Sequence, residues 1–334
     1  MEQINPLISV IVPNYNHVNY LIERLESVFN QTYPNFEVIV LDDCSTDDSR
    51  EILLEYANNK KVTHCIFNKK NSGNTFSQWN KGIALAKGEY IWIAETDDFC
   101  ELNLLETLIK PMILDSKVVL TYCQSNKVNA ESEVTGSWLD YTNDLETKTF
   151  QQYFIAEGNA FIEQFLIFKN VIPNASAVLF KKERALEIGS LDIIPSLKYD
   201  GDWMFYLNLI ANKKIVFIPN PLNNFRYHSQ SVIALAGSKK TVIELINIIL
   251  NIRTKINQTI RRESPQNGET LLKINNTESK KIIYQKAQYY IQNKHKFKGY
   301  LLMFRVFSKS IIIKKVQHKV KTLGENRIKS MFGK

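Results

Sequence analysis

Cysteine is scarce and scattered in this chain. Its four residues in 334, Cys44, Cys65, Cys100 and Cys123, form no C-x-x-C pair and show no Cys/His ligand spacing. A disulfide framework and a structural zinc site are therefore excluded, and the thiols read as reduced. No run approaches eighteen apolar residues, so no segment qualifies as a bilayer-spanning helix. Met1-Glu2-Gln3-Ile4-Asn5-Pro6 has no basic segment followed by an apolar core, which predicts no signal peptide and a cytoplasmic protein. Glycine is missing where a phosphate loop would need it. The first apolar run ends in Asn14-Tyr15-Asn16-His17, against a sugar nucleotidyltransferase with a Gly-rich first turn. Pro13-Asn14 also stands where a phosphatase would carry an Asp-x-Asp nucleophile. Acid is nearly absent from the C-terminus: between Lys281 and Lys334 fourteen Lys or Arg face one acid, Glu325. The net charge of +8 thus divides into about −5 for residues 1–280 and +13 for the rest, which points to an anionic partner for the tail. The body carries no nucleic-acid-binding motif, so nucleic acid is not expected as that partner.

What is present alternates. Strands are expected at Ile8–Val12, stopped by Pro13, then at Glu37–Leu41, Val62–Phe67, Tyr90–Ala94 and Val118–Tyr122. Helices fit Val18–Phe29, Asp47–Tyr56, Phe76–Ala86 and Leu102–Leu114. This order predicts an α/β fold with right-handed crossovers and a mostly parallel, Rossmann-like sheet flanked by helices. Further on, Phe150–Phe168 and Asp202–Asn212 read as helices, and Ala177–Phe180, Ile215–Ile218 and Leu222–Tyr227 as short strands. Beyond Gly237 the pattern is helical and basic, with Ile243, Ile246, Leu250, Arg253, Ile256 and Ile260 on one face until Ser264-Pro265-Gln266-Asn267-Gly268 interrupts it.

Two acidic clusters follow apolar strands: Asp42-Asp43 after Phe36–Leu41, and Glu95-Thr96-Asp97-Asp98 after Tyr90–Ala94. Carboxylates there stand at the strand ends where open α/β sheets bind ligands, and can supply hard oxygen donors to a divalent cation. Turn formation and helix capping explain Ser45, Thr46 and Asp47 well, but adjacent acids repel unless something cationic offsets them.

The segments Val10-Ile11-Val12-Pro13-Asn14-Tyr15-Asn16, Gln31–Glu37 with Asp42–Asp47, Asn80–Tyr90 and Glu95–Asp98, in this order, resemble family 2 glycosyltransferases of the GT-A fold over roughly residues 6–232. The resemblance implies an inverting, metal-dependent hexosyltransferase-type enzyme that takes a nucleotide-diphosphate sugar as donor and Mg²⁺ or Mn²⁺ as cofactor. It implies Asp98 as metal ligand, Asp97 on ribose or metal, Glu95 closing the triplet, and Asp43 accepting from the base. Pro13 and Tyr15 would form the base pocket, although Tyr15 fits core packing equally. Asn71, Ser72 and Gly73 resemble a donor-site loop, with Gly73 also readable as a plain turn. Asp202 matches the general-base position and Asp200 is its reserve, both also suited to helix capping. Gly201 stands where the family usually has an acid, Asn208 where it often has a base, and Cys44 where it usually has glycine. His228, in Arg226-Tyr227-His228, matches a position near the diphosphate, where an imidazole could coordinate the metal or donate to phosphate.

The domain organisation expected is a catalytic region over 1–236, with a nucleotide-sugar half (1–123) and an acceptor half (124–236), followed by a helical region over 237–334. In the tail Phe297, Tyr300, Leu301, Phe304, Phe307, Ile311 and Ile312 interleave with Lys298, Arg305, Lys309, Lys314, Lys315, Lys319 and Lys321. That pattern suits a helix lying on an anionic membrane surface, or one packed on the catalytic region with solvated lysines. The expected setting is the inner face of a bacterial membrane, with a saccharide acceptor, lipid-linked, in surface polysaccharide synthesis. A catalytically degenerate, membrane-attached scaffold of the same fold, or a sugar nucleotidyltransferase, is the alternative.

Overall fold

A computed structural model describes residues 5–145, 148–172, 174–189, 201–228 and 241–307. The chain forms two compact units, one through Tyr227 and one from His228. In the first, four parallel strands run in the order β3 (Val62–Phe67), β2 (Phe36–Asp42), β1 (Ile8–Asn14) and β4 (Tyr90–Ile93). Their central members are buried along their whole length, as continuous β-branched and aromatic runs require. The helices between them are α1 (Val18–Phe29), α2 (Ser49–Tyr56) and α3 (Thr75–Leu85). Helix α1 inserts Leu21, Leu25 and Val28 into the core.

β1 does not stop at Pro13. It continues to Asn14, with Pro13 opposite Leu41 of β2. Pairing with β4 ends at Ile11–Ile93. Pro13's carbonyl, on the side β4 has vacated, accepts from the Thr96 hydroxyl, so the missing N–H of proline leaves no ladder bond unmade.

The sheet continues through β9 (Val178–Lys181), inserted antiparallel between β4 and β6 (Val118–Val128), and then β10 (Lys214–Arg226) and the short β5 (Phe99–Cys100). Three sequence expectations change here. β6 runs six residues past Tyr122, because its polar end, Gln124 to Lys127, pairs along β10 and Asn126 donates to the Asn224 side-chain carbonyl. The two short strands after residue 214 are one strand, bulged around Pro219-Asn220-Pro221. The helix expected over Phe150–Phe168 is instead a 3₁₀ turn, a strand β8 (Phe154–Glu157) antiparallel to β10, and two short helical turns over 158–166. Phe150, Phe154, Phe161, Phe165 and Phe217 pack there as an aromatic cluster. The apolar spacing that mimics a helix thus serves ring packing.

The described part of the second unit is three helices, Val242–Glu263, Gly268–Gln292 and Lys296–Phe307. The first opens on a capping box, Thr241 with Glu244, and stops at Ser264, whose φ of 44° is left-handed. Ile246, Ile256 and Ile260 are buried, as is Arg253, which donates to the Asn275 side-chain carbonyl of the second helix. None of the described helices is long and apolar enough to cross a membrane. The lysines expected in the tail beyond residue 307 lie outside the described residues.

Candidate active site

The C-terminal ends of β1, β2, β4 and β10 bring Pro13, Tyr15, Asp43, Asp97, Asp98 and His228 to one edge of the sheet. Past β1 the chain turns at Asn16, with φ 55°, and enters α1. The Asn14 amide donates to Asp42 and Ser45, and Asn16 accepts from the Thr46 N–H. Asp42 caps its own turn by accepting from the Ser45 backbone and hydroxyl, so its role is local. Tyr15 is 44% exposed, which rules out core packing. Pro13 is buried beside it.

Asp43 accepts from the Asn68 and Gln78 amides and from the Ser72 N–H and hydroxyl. Its backbone carbonyl accepts from Asn71, whose side-chain oxygen in turn accepts from the Gly73 N–H. Asp43, Asn71, Ser72 and Gly73 therefore form one hydrogen-bonded unit, and Gly73 serves it with a φ of 73° that favours glycine. Cys44, next to Asp43, takes the left-handed conformation too, at φ 65°. This explains why glycine suits the position. Cys44→Gly is expected to raise the melting temperature by about 2–3 °C, since removing a left-handed side chain gains about 1 kcal/mol net of the entropy glycine costs. A thermal denaturation series would show it, and a lowered Tm would mean the thiol's contacts outweigh the strain.

The acidic turn after β4 is gripped by two buried arginines. Arg24 of α1 donates through Nε to the Glu95 carbonyl (2.8 Å), and its guanidinium lies 3.9 Å from the Asp98 carboxylate. Arg226 donates its N–H to Asp98 Oδ1 (3.1 Å) and its Nε to the Asp97 carbonyl (2.8 Å), while its other nitrogens reach Glu23, Ser132 and the carbonyls of Asn129 and Ala130. Asp98 thus faces inward, 2% exposed. Burial and the neighbouring Asp97 push its pKa to about 7, against the pull of Arg24. Burial, then Asp97, pushes Glu95 to about 8, although the Trp79 indole donates to its carboxylate at 2.7 Å. Burial and mutual repulsion thus raise both carboxyls even with Arg24 3.9 Å from one of them.

Asp97 is half-buried and belongs to a different constellation. One ligand atom each from His17, Asp97 and His228 lies within 4.8 Å of the others. His17 is oriented by a 2.8 Å bond from its Nδ1 to the Thr96 hydroxyl. Two imidazoles and a carboxylate within this reach suit a divalent ion, and this nitrogen-containing set favours Mn²⁺ over Mg²⁺.

Helix α8 (Gly201–Ile210) carries Asp202 in its first turn. Asp202 Oδ2 accepts from the Asn170 amide (3.0 Å) and Oδ1 from the Trp203 N–H (2.8 Å). Burial, then Asp202 and Glu95, push the Tyr206 hydroxyl well above its ordinary value. Phe205 packs on Trp79 at 6.2 Å. A Cβ on Gly201 would come within 2.3 Å of the Phe76 ring, which explains why no acid stands there. Asn208 turns its amide back onto the Met204 carbonyl. Asp200 lies outside the described residues. His17, Arg24, Trp79, Tyr206 and Arg226 escaped the sequence reading. His17 stands one residue past a resembling segment, Trp79 one residue before another, and Arg226 two residues before His228.

Residues 9–171 match the model of Glycosyl transferase family 2. Glycosyltransferase GlyG of Streptococcus pneumoniae serotype 4 is 31% identical over 240 residues, 68% of this chain and 72% of GlyG. The TuaG glycosyltransferase of Bacillus subtilis (strain 168), assigned by name to teichuronic acid biosynthesis, is 35% identical over 113 residues, 34% of this chain and 44% of TuaG. Among solved structures, S. aureus TarS 1-349 superposes with a TM-score of 0.60 at 18% identity, covering 83% of this chain and 72% of TarS 1-349. Its complex with UDP superposes at 0.55 and 19% identity, covering 75% and 65%. The chain folds as a GT-A-type α/β unit followed by helices, and belongs to glycosyltransferase family 2.

Proposed function

We propose that this protein transfers a sugar, with inversion, from a nucleoside-diphosphate sugar to a saccharide acceptor in the synthesis of a bacterial surface polysaccharide. The observation that carries the reading is the hydrogen-bonded Asp43 loop beside the Asp97 constellation, with the helix of Asp202 packed through Phe205 on Trp79, whose indole holds Glu95. The names of GlyG and TuaG, and the UDP and UDP-GlcNAc complexes of TarS, support it. In this reading Tyr15 offers its exposed ring to the base above Pro13, and the unit of Asp43, Asn71 and Gly73 shapes the nucleoside pocket. His17, Asp97 and His228 would hold the divalent ion, and Asp98 anchors their turn on Arg24 and Arg226. The ion, when bound, supplies the positive charge that offsets the departing diphosphate. Asp202 takes the proton of the acceptor hydroxyl as its oxygen bonds to the anomeric carbon and the bond from that carbon to the diphosphate breaks. Attack opposite the leaving group inverts the configuration.

A lipid-linked acceptor at the inner face of the membrane fits this chemistry, because a growing surface glycan needs a carrier. A nucleotide-sugar panel read by thermal shift, with and without Mn²⁺, tests the proposal. A UDP-sugar is expected to raise Tm by several degrees, more with Mn²⁺ than without, and to be hydrolysed slowly in the absence of acceptor. A chain that no nucleotide sugar stabilises, and that hydrolyses none, would be a scaffold.

A further inference from the structure

The helix Lys296–Phe307 carries two apolar stripes, on opposite faces. One contains Gly299, Leu302, Met303 and Val306, and it packs inward: Val306 is buried, and a Cβ on Gly299 would meet Ile291 at 2.5 Å and the Ala287 carbonyl at 2.7 Å. Gly299 therefore lets this helix press against the backbone of Gly268–Gln292, and the close approach fixes which face is covered. The other stripe, Phe297, Tyr300, Leu301 and Phe304, falls at i, i+3, i+4 and i+7 and points outward. Phe297 is 84% and Phe304 70% exposed, far beyond what isolated surface aromatics need explaining.

Charge identifies what covers it. Lys294, Lys296 and Lys298 are exposed around the start of the stripe, and Lys298 reaches back over the Tyr290 ring with its Nζ 4.4 Å from the centroid. From Lys281 onward the chain carries about +13, so a second copy of this chain would meet the stripe with like charge. An anionic lipid surface meets both features at once: its headgroups attract the lysines, and its acyl boundary accepts the rings. We propose that the Phe297–Phe304 face is a lipid-docking surface for phosphatidylglycerol-type headgroups. The inference rests on the proposed function only for its purpose, a glycan grown on a lipid carrier. It can fail while that reading stands, because it is measured without donor or acceptor.

The test is cosedimentation of the full-length protein with phosphatidylcholine vesicles, with and without phosphatidylglycerol, over a salt series. Wild type is expected to pellet with the anionic vesicles, less at high salt but still measurably, since screening removes attraction and leaves insertion. Phe297→Ser/Phe304→Ser should lower the partition coefficient by on the order of tenfold or more, with the melting temperature held near that of wild type. Lys296→Glu/Lys298→Glu should weaken binding to anionic vesicles and abolish its salt dependence in part. No pelleting by wild type, or equal pelleting by the serine variant, would overturn the proposal. So would sedimentation velocity showing a wild-type dimer that the serine variant dissociates while vesicle binding stays unchanged.

Discussion

Asp202→Asn is expected to lower kcat for sugar transfer by on the order of 10²–10⁴ while leaving donor affinity little changed. Asparagine keeps the shape of the side chain and can still accept from the Trp203 N–H, so the first turn of α8 retains its capping bond. What it loses is a carboxylate able to take a proton, together with the second acceptor oxygen that the Asn170 amide donates to. Transfer rate and donor-induced thermal shift, measured side by side, separate the two roles. A variant that melts early but turns over normally would make Asp202 a cap. If Asp202→Asn were active and Asp200→Asn dead, the base would be Asp200.

Asp97→Asn is expected to abolish turnover and the Mn²⁺-dependent part of donor stabilisation, and EDTA should do the same to the wild type. Asp98→Asn should behave differently. Its carboxylate accepts from the Arg226 backbone and lies beside buried Arg24, so its loss should appear first as lost stability. The pH dependence gives a second handle. Glu95 and Asp98 have folded pKa values raised to about 8 and about 7, from ordinary values of 4.5 and 3.8. The folded state therefore holds protons that the unfolded chain has released. Their contribution to stability is full below the ordinary values and is lost as pH rises through about 7 and then 8. A divalent ion beside the turn offsets that loss, so the Mn²⁺-induced rise in Tm should grow between pH 6 and pH 9 in wild type and stay flat in Asp97→Asn. A flat wild-type profile would place the ion elsewhere. Direct titration of Mn²⁺ onto both proteins provides a readout independent of turnover.

How far the sequence could be read depended on whether a segment's partner was local. Continuous β-branched runs announced β1 to β4, since a strand buried on both faces admits few other residues, and the acids after them marked the functional edge. The polar half of β6 was hidden because Gln124 to Lys127 satisfy one another and β10 rather than face a core. β8 was hidden because Phe150, Phe154, Phe161 and Phe165, four phenylalanines spaced for a helix, are spaced equally well for a ring cluster around Phe217. At the site, Asp97 and Asp98 are adjacent and chemically identical in sequence. Only the positions of Arg24 and Arg226, 74 and 128 residues away in the chain, set one facing inward and leave the other in the His17 constellation. His17 and Trp79 carried no signal of their own, because a lone histidine or tryptophan in sequence is most often structural.

The contact between Gly201 and Phe76 has a consequence for how this enzyme could change. Two neighbouring acids at the start of α8 would add a second carboxylate next to Asp202, yet any side chain at 201 meets the ring of Phe76 on α3. The order of substitution therefore matters. A smaller residue at 76 must come first, and it would open a gap beside Trp79, whose ring packs 5.0 Å from that of Phe76 and whose indole holds Glu95. Position 201 is thus closed to single steps, and a laboratory lineage seeking a second acid there would have to pass through an intermediate with a loosened acidic turn.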